Sequence, residues 1–304
     1  MASASVPKLD RELRLRLARR FGGAVDAWFD ALPDVLTDLG ERWSLEWGML
    51  IQRGSMSVVI RCRTAEGRQA VLKTSPERTR IAYEAAALAS WSTPHVPAVL
   101  AVDESAGALL IEAIEPGTSL AEAAAYPAVE RVAALLTSLH EDGVPDPRYR
   151  PVADHIAYLF DAGLKNYERR PDLAEVVPPE LYAHGRRLAM RLAADAGPTV
   201  LLHGDLTPAN VLDGGAARGL VAIDPAPCLG DPAFDAVDLV LWQAADVEAI
   251  ALRAEQLAPA VGGGAGRLLD WCSAFAGMVA LELAEAPGGP GEQVEHLLAL
   301  GSRA

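Results

Sequence analysis

Residues 201–224, LLHGDLTPANVLDGGAARGLVAID, constrain this chain more tightly than any other stretch. Leu201 and Leu202 lead into His203, Gly204 and Asp205, and Asn210 follows Asp205 by five residues, so one tight loop can aim both side chains the same way. Apolar residues at 211–212 and 220–223 then flank a Gly-rich turn, the pattern of a two-stranded hairpin. Such a hairpin returns Asp224 to the side of Asn210.

Two carboxylates and an amide in this order suit phosphoryl transfer. A nucleoside triphosphate concentrates negative charge, so an amide oxygen and a carboxylate hold Mg²⁺ on the phosphates while a separate carboxylate orients the attacking hydroxyl. Asp205 is the candidate catalytic base, with Asn210 and Asp224 as candidate metal ligands. A surface loop with scattered carboxylates would account for any one Asp, but poorly for the ordered set.

The chain has 304 residues, 51% of them apolar, enough for one large domain or two lobes with a buried core. It contains no run of 18 apolar residues, and its N-terminus is charged and periodic without the apolar centre of a signal peptide, so a soluble cytoplasmic protein is expected. Cys62, Cys228 and Cys272 are widely separated, match no zinc or disulfide spacing, and read as buried or half-buried thiols. Charge is uneven: residues 1–114 hold 14 Lys/Arg against 14 Asp/Glu, whereas 115–304 hold 13 against 27. An acidic field on one part attracts a cationic small-molecule substrate and repels nucleic acid, although an acidic surface also serves solubility. No membrane association and no obligate protein partner is expected; a membrane-lying role for the basic first helix is the weaker alternative.

Along the chain, 9–42 reads as helical, with Leu9, Leu13, Leu17 and Phe21 at near-helical spacing and a second amphipathic stretch over 27–39 broken by Pro33. Strands follow at 43–50, 56–63 and 69–74, as in an antiparallel meander, then at 96–102 and 108–114. Between the first two, Gly54, Ser55 and Ser57 can place N–H groups and hydroxyls over phosphates, or form a plain hairpin turn. Lys73 is more telling, since the chain has three lysines against 24 arginines. Where positive charge alone suffices this sequence uses Arg, so Lys73 points to a compact ammonium on the α- and β-phosphates. Glu84, in the helical run 81–88, is the candidate partner that steadies it.

Beyond residues 112–116, read as a hinge, helices are expected over 120–125, 129–140, 154–166, 181–194 and 268–286. His140, at a helix end, reads as a capping or packing group. Asp231 followed by Pro232 reads as a helix N-cap with Pro at the first helical position. Asp231, Asp235 and Asp238 then share one face, which either attracts an ammonium or guanidinium group or serves capping and solvation. Glu282 and Glu285 are further candidates for cation binding.

The spacing of Asp205, Asn210 and Asp224 resembles the kinase catalytic loop, with His-Gly-Asp where protein kinases carry His-Arg-Asp and Ile-Asp-Pro where they carry Asp-Phe-Gly. Together with Trp28, Trp43, 54–59, 70–73 and the run 222–235, it is similar to the aminoglycoside phosphotransferase family, within it the streptomycin 6-phosphotransferase and hydroxyurea-resistance kinase group. Thr207 departs from the His that follows Asp-Leu in that pattern. The resemblance implies an α+β, bilobal, protein-kinase-like fold: an N-lobe (1–114) of antiparallel sheet with helices and a mainly helical C-lobe (115–304), with ATP and Mg²⁺ bound between them. It further implies that the Glu112 carbonyl and the Ile114 N–H bind the adenine edge. Streptomycin, which bears two guanidinium groups, is the expected acceptor, and an amino sugar or other small metabolite the alternative. A nucleotide-binding pseudokinase is the alternative of another class, against which Lys73, Glu84, Asp205, Asn210 and Asp224 stand together.

Overall fold

Asp10 opens the first helix of the computed structural model, its carboxylate accepting the Leu13 N–H at 2.8 Å. The structure describes residues 6–52, 56–195, 197–286 and 291–303. Its chain divides into two units, Met1–Ala89 with Val96–Gly117, and Ser90–His95 with Thr118–Ala304.

In the first unit, helix α1 (Arg11–Phe21) stops at Gly22, which takes φ 67°. Helix α2 (Val25–Arg42) continues through Pro33, where a break is predicted. The ring removes one helical hydrogen bond and costs about 3 kcal/mol. Pro33 lies on the exposed side, however, while Phe29, Leu32, Leu36 and Leu39 are buried on the other. Each contributes roughly 1.5–3 kcal/mol, so burial outweighs the local penalty.

Strands β1 (Glu46–Ile51), β2 (Val58–Arg63) and β3 (Gln69–Thr74) come next, then helix α3 (Arg78–Ser90), β4 (Val99–Asp103) and β5 (Ala108–Glu112). They form one antiparallel sheet in the order β1-β2-β3-β5-β4. Val58, Ile60 and Cys62 on β2 and Ala70 and Leu72 on β3 alternate inward against Leu13, Leu17, Leu32 and Leu36. The two-residue period sends Lys73 to the opposite face from Leu72.

In the second unit, a 3₁₀ turn (Leu120–Glu122) stands where a helix over 120–125 is predicted. Ser119 bridges to Leu212, and the Asp213 N–H donates to the Thr118 carbonyl at 2.8 Å, so pairing with the later hairpin holds this approach extended. Then follow α4 (Val129–Asp142), β6 (Arg150–Pro151), α5 (Val152–Arg169), α6 (Leu173–Val176), α7 (Pro179–Ala194) and β7 (Val200–Leu202). The hairpin is β8 (Val211–Asp213), a single turn α8 (Gly215–Arg218), and β9 (Leu220–Ala222), with Val211 opposite Ala222. After β10 (Cys228–Gly230) come α9 (Ala233–Leu241), α10 (Val247–Leu257), α11 (Ala265–Glu285) and α12 (Glu292–Gly301). Strand β10 pairs antiparallel with β7 and parallel with β6, a short sheet that underlies the loop after β7. Helices α7 and α11 touch at Gly185, where a Cβ would lie 2.3 Å from the Ala274 carbonyl oxygen.

Candidate active site

The loop between β7 and β8 carries Asp205 and Asn210, both half-buried. The Asn210 amide nitrogen donates to the Asp205 backbone oxygen and to its Oδ2, each at 2.9 Å. Two acceptors on one nitrogen assign the amide orientation, so Oδ1 faces the other way. Among the described residues that oxygen accepts no hydrogen bond. The Ile223 N–H donates to the Asn210 carbonyl at 2.9 Å, which draws Asp224 alongside. Asp224 takes φ 61°, a left-handed conformation that Asp tolerates better than branched residues do. An outward amide oxygen and a carboxylate are hard donors of the kind that suit Mg²⁺.

Buried His203 ties both ends of this arrangement together. Its Nε2 donates to the Ile223 carbonyl at 3.0 Å and its Nδ1 accepts the Asp205 N–H at 3.4 Å. Its ring stacks on that of Trp91, centroids 6.4 Å apart. Gly204 is required by its surroundings: φ is 79°, and a Cβ would lie 2.1 Å from the Ala226 carbonyl oxygen.

The predicted acidic face at 231–238 separates into distinct roles, which corrects two substrate assignments. Asp235 is turned inward: Oδ2 accepts the His203 N–H at 2.8 Å, Oδ1 accepts the Gly204 N–H at 2.9 Å, and His140 Nε2 lies 3.2 Å from Oδ2. Burial pushes its pKa up, but His140, His203 and the Gly204 N–H outweigh that and hold it below the usual range. Asp231 is also consumed internally. Its Oδ1 accepts the Ala233 N–H at 2.9 Å, while Oδ2 accepts from Arg267 Nε at 2.6 Å and Trp271 Nε1 at 2.8 Å. Both carboxylates sit on elements that pack into the core, where charge without partners is too costly. Asp231 does cap the turn into α9, although the helix itself begins one residue later than predicted.

Asp238 and Glu282 behave differently. Burial, then Glu282, then Asp235 push Asp238 up to about 7. Glu282 is reached by water yet hemmed in by protein, and desolvation followed by the charges of Asp205 and Glu285 pushes it up too. Among the described residues neither side chain has a hydrogen bond or salt bridge, whereas Glu285 accepts from Asn166 Nδ2 at 2.7 Å. Two carboxylates without a counter-charge among the described residues, one of them within the field of Asp205, favour a cation nearby. Asp238 was legible only as one of three acids on a helix face.

In the first unit Lys73 Nζ pairs with Glu84 Oε1, both buried. Ser57 is buried before β2, and Gly54 and Ser55 lie outside the described residues. Glu112 ends β5, with its Oε2 accepting the Ala98 N–H at 3.2 Å and its N–H bound to the Ala98 carbonyl. Buried Ile114 follows. The turn closes at Gly117, φ 72°, whose Cβ position lies 2.4 Å from the Ile114 carbonyl oxygen.

Comparison with known proteins bears on this geometry. Residues 42–286 match the family described as aminoglycoside/hydroxyurea antibiotic resistance kinase. The streptomycin 6-kinase of Streptomyces glaucescens is 30% identical over 249 residues, which covers 81% of this chain and 77% of that one. The hydroxyurea phosphotransferase of Kitasatospora aureofaciens is 32% identical over 220 residues, 71% of this chain and 63% of that one. Among solved structures, the choline kinase LicA from Streptococcus pneumoniae superposes with a TM-score of 0.58 at 15% identity, covering 89% of this chain and 98% of that chain, a likeness of fold.

Proposed function

The chain belongs to the aminoglycoside/hydroxyurea antibiotic resistance kinases, and on that footing we propose that it moves the γ-phosphoryl group of ATP to a hydroxyl of a cationic antibiotic, with streptomycin the first candidate. It is a phosphotransferase with an alcohol group as acceptor, built on the α+β protein-kinase-like fold. The observation that carries the finer reading is the pair Asp238 and Glu282, carboxylates without a partner among the described residues, with Glu282 in the field of Asp205. A guanidinium or ammonium group would relieve their mutual repulsion and so gain affinity there.

In this reading Asp205 orients the acceptor hydroxyl and takes its proton as the new oxygen–phosphorus bond forms. The bond to the β–γ bridging oxygen breaks and ADP leaves. Lys73, steadied by Glu84, holds the α- and β-phosphates as a point charge; the Ile114 N–H and the Glu112 carbonyl take the adenine edge. Ser57, with Gly54 and Ser55, would cover the phosphates. Asn210 Oδ1 and the Asp224 carboxylate would hold Mg²⁺, which neutralises phosphate charge when bound. The chain's own share of catalysis is positioning and a fixed electrostatic frame.

The test is phosphorylation by Mg²⁺ and ATP of streptomycin, other aminoglycosides, hydroxyurea and glucosamine, read by mass spectrometry, with Asp205→Asn alongside. One phosphate gained by streptomycin and lost with the variant supports the assignment. Transfer to hydroxyurea alone, which carries no guanidinium, would remove the role given to Asp238 and Glu282. Transfer to no member, or undiminished turnover in Asp205→Asn, would overturn the acceptor or the base respectively.

A further inference from the structure

Directly behind the loop lies a pair of groups that the mechanism above does not use. Arg150 Nη2 lies 2.6 Å from His155 Nδ1, and His155 Nε2 lies 2.7 Å from the Gly204 carbonyl oxygen. A guanidinium can only donate and a carbonyl oxygen can only accept. The imidazole between them must therefore accept at Nδ1 and donate at Nε2, which fixes it as neutral and in one tautomer. His155 is buried, with its ring edge-on to Phe234 at 5.8 Å. Burial and then the Arg150 charge hold its pKa down to about 4, against weaker opposing pulls from the Gly204 carbonyl and from Asp235 on α9. Arg150 is set by β6, in register with Cys228 of β10, and its guanidinium lies over the Tyr158 ring at 5.4 Å.

The Gly204 carbonyl and the Asp205 N–H belong to one planar peptide unit. His155 grips its oxygen end, and His203 Nδ1 accepts from its N–H end at 3.4 Å. Rotation of that plane is the freedom through which Asp205 would swing, because Gly204 has φ 79° and no side chain to resist it. We propose that His155 is a positioning residue for Asp205, and that Arg150 sets the tautomer in which it can act. The inference rests on the reading of Asp205 as the base.

Four variants of the full chain test it: His155→Phe, His155→Gln, Arg150→Met and Asp205→Asn. His155→Phe keeps the ring's bulk and removes the donor; kcat is expected to fall about 10- to 100-fold with the KM for ATP and acceptor within about twofold. His155→Gln, whose amide can donate to the same carbonyl, should recover most of kcat. Nitrogen-15 NMR of the unaltered protein should show His155 protonated at Nε2 and bare at Nδ1 from pH 5 to 8. In Arg150→Met the ring should titrate at higher pH or populate the other tautomer, and kcat should follow that titration. A folded His155→Phe protein with unaltered kcat, or a His155 protonated at Nδ1 in the unaltered chain, would overturn the proposal. Full activity in Asp205→Asn would instead remove the reading of the base, and the tautomer result would stand apart from it.

Discussion

Replacing Asp235 by Asn removes one of the two oxygens that hold the His203 and Gly204 N–H groups at 2.8 and 2.9 Å. The amide can orient its single oxygen toward only one of them, and its NH₂ then faces the other donor. A hydrogen bond to a charged group contributes about 1.5–3 kcal/mol, and a buried N–H left without an acceptor costs about 1–3 kcal/mol. The sum is about 2.5–6 kcal/mol, a large share of the roughly 5–15 kcal/mol typical of a folded domain. Because Asp235 has a depressed pKa in the fold, its stabilisation is present above the ordinary carboxylate pKa and is lost as pH falls through the folded value. At pH 7 the full difference from Asn should be measurable. Urea unfolding of both proteins at pH 7, amide exchange at His203 and Gly204, and kcat at a temperature where the variant is folded provide the readings. We expect a shift of that size, faster exchange at both amides, and turnover lowered about 10- to 100-fold through misplacement of the adjoining Asp205. Unfolding within about 0.5 kcal/mol of the parent, with kcat unchanged, would refute the reasoning.

Lys73→Met deprives the buried Glu84 carboxylate of this cation and should cost about 3–5 kcal/mol; adding Glu84→Gln should restore part of the stability but not turnover, as denaturation and rate measurements would show. Asp238 has a raised folded pKa, so the native state holds an extra proton between pH 3.8 and about 7, and the associated stability is lost as pH rises through that range. Asp238→Asn should therefore stabilise by about 1–2 kcal/mol at pH 8, after allowance for solvent screening, with little effect near pH 4, while weakening affinity for a cationic acceptor; thermal unfolding at the two pH values and the acceptor KM check both parts. Gly185→Ala drives a Cβ to 2.3 Å from the Ala274 carbonyl oxygen and should cost about 1–3 kcal/mol. Gly277→Ala on α11, whose Cβ would meet only ordinary contacts from 3.6 Å outward, should be neutral or slightly stabilising in the same melt.

The parts of the molecule that were legible are those set by near neighbours in the chain. The β3 strand carries Lys73 away from Leu72 because alternation is a property of six consecutive residues. Asn210 reaches Asp205 because five residues and a 3₁₀ turn span the gap, and the hairpin that follows brings Asp224 back. Pro33 and residues 120–125 misled local reasoning for the same reason. In one case a buried helix face outweighed a poor local residue, and in the other strand pairing outweighed a good helical pattern.

The chain alone thus specified a loop with the residue order of a kinase catalytic loop, the strand that presents a lone lysine, and an acidic second part, since composition, spacing and periodicity are written within short windows. Only the tertiary structure sorted the acids. Asp231 and Asp235 became internal acceptors while Asp238 and Glu282 have no partner among the described residues, a choice set by whether donors from the loop after β7, from α4 and from α11 arrive at each carboxylate. The same holds for His155, which gains its meaning from a carbonyl 49 residues away. A carboxylate or an imidazole has no fixed role in the one-dimensional pattern, because its protonation and partners are decided by what burial brings against it.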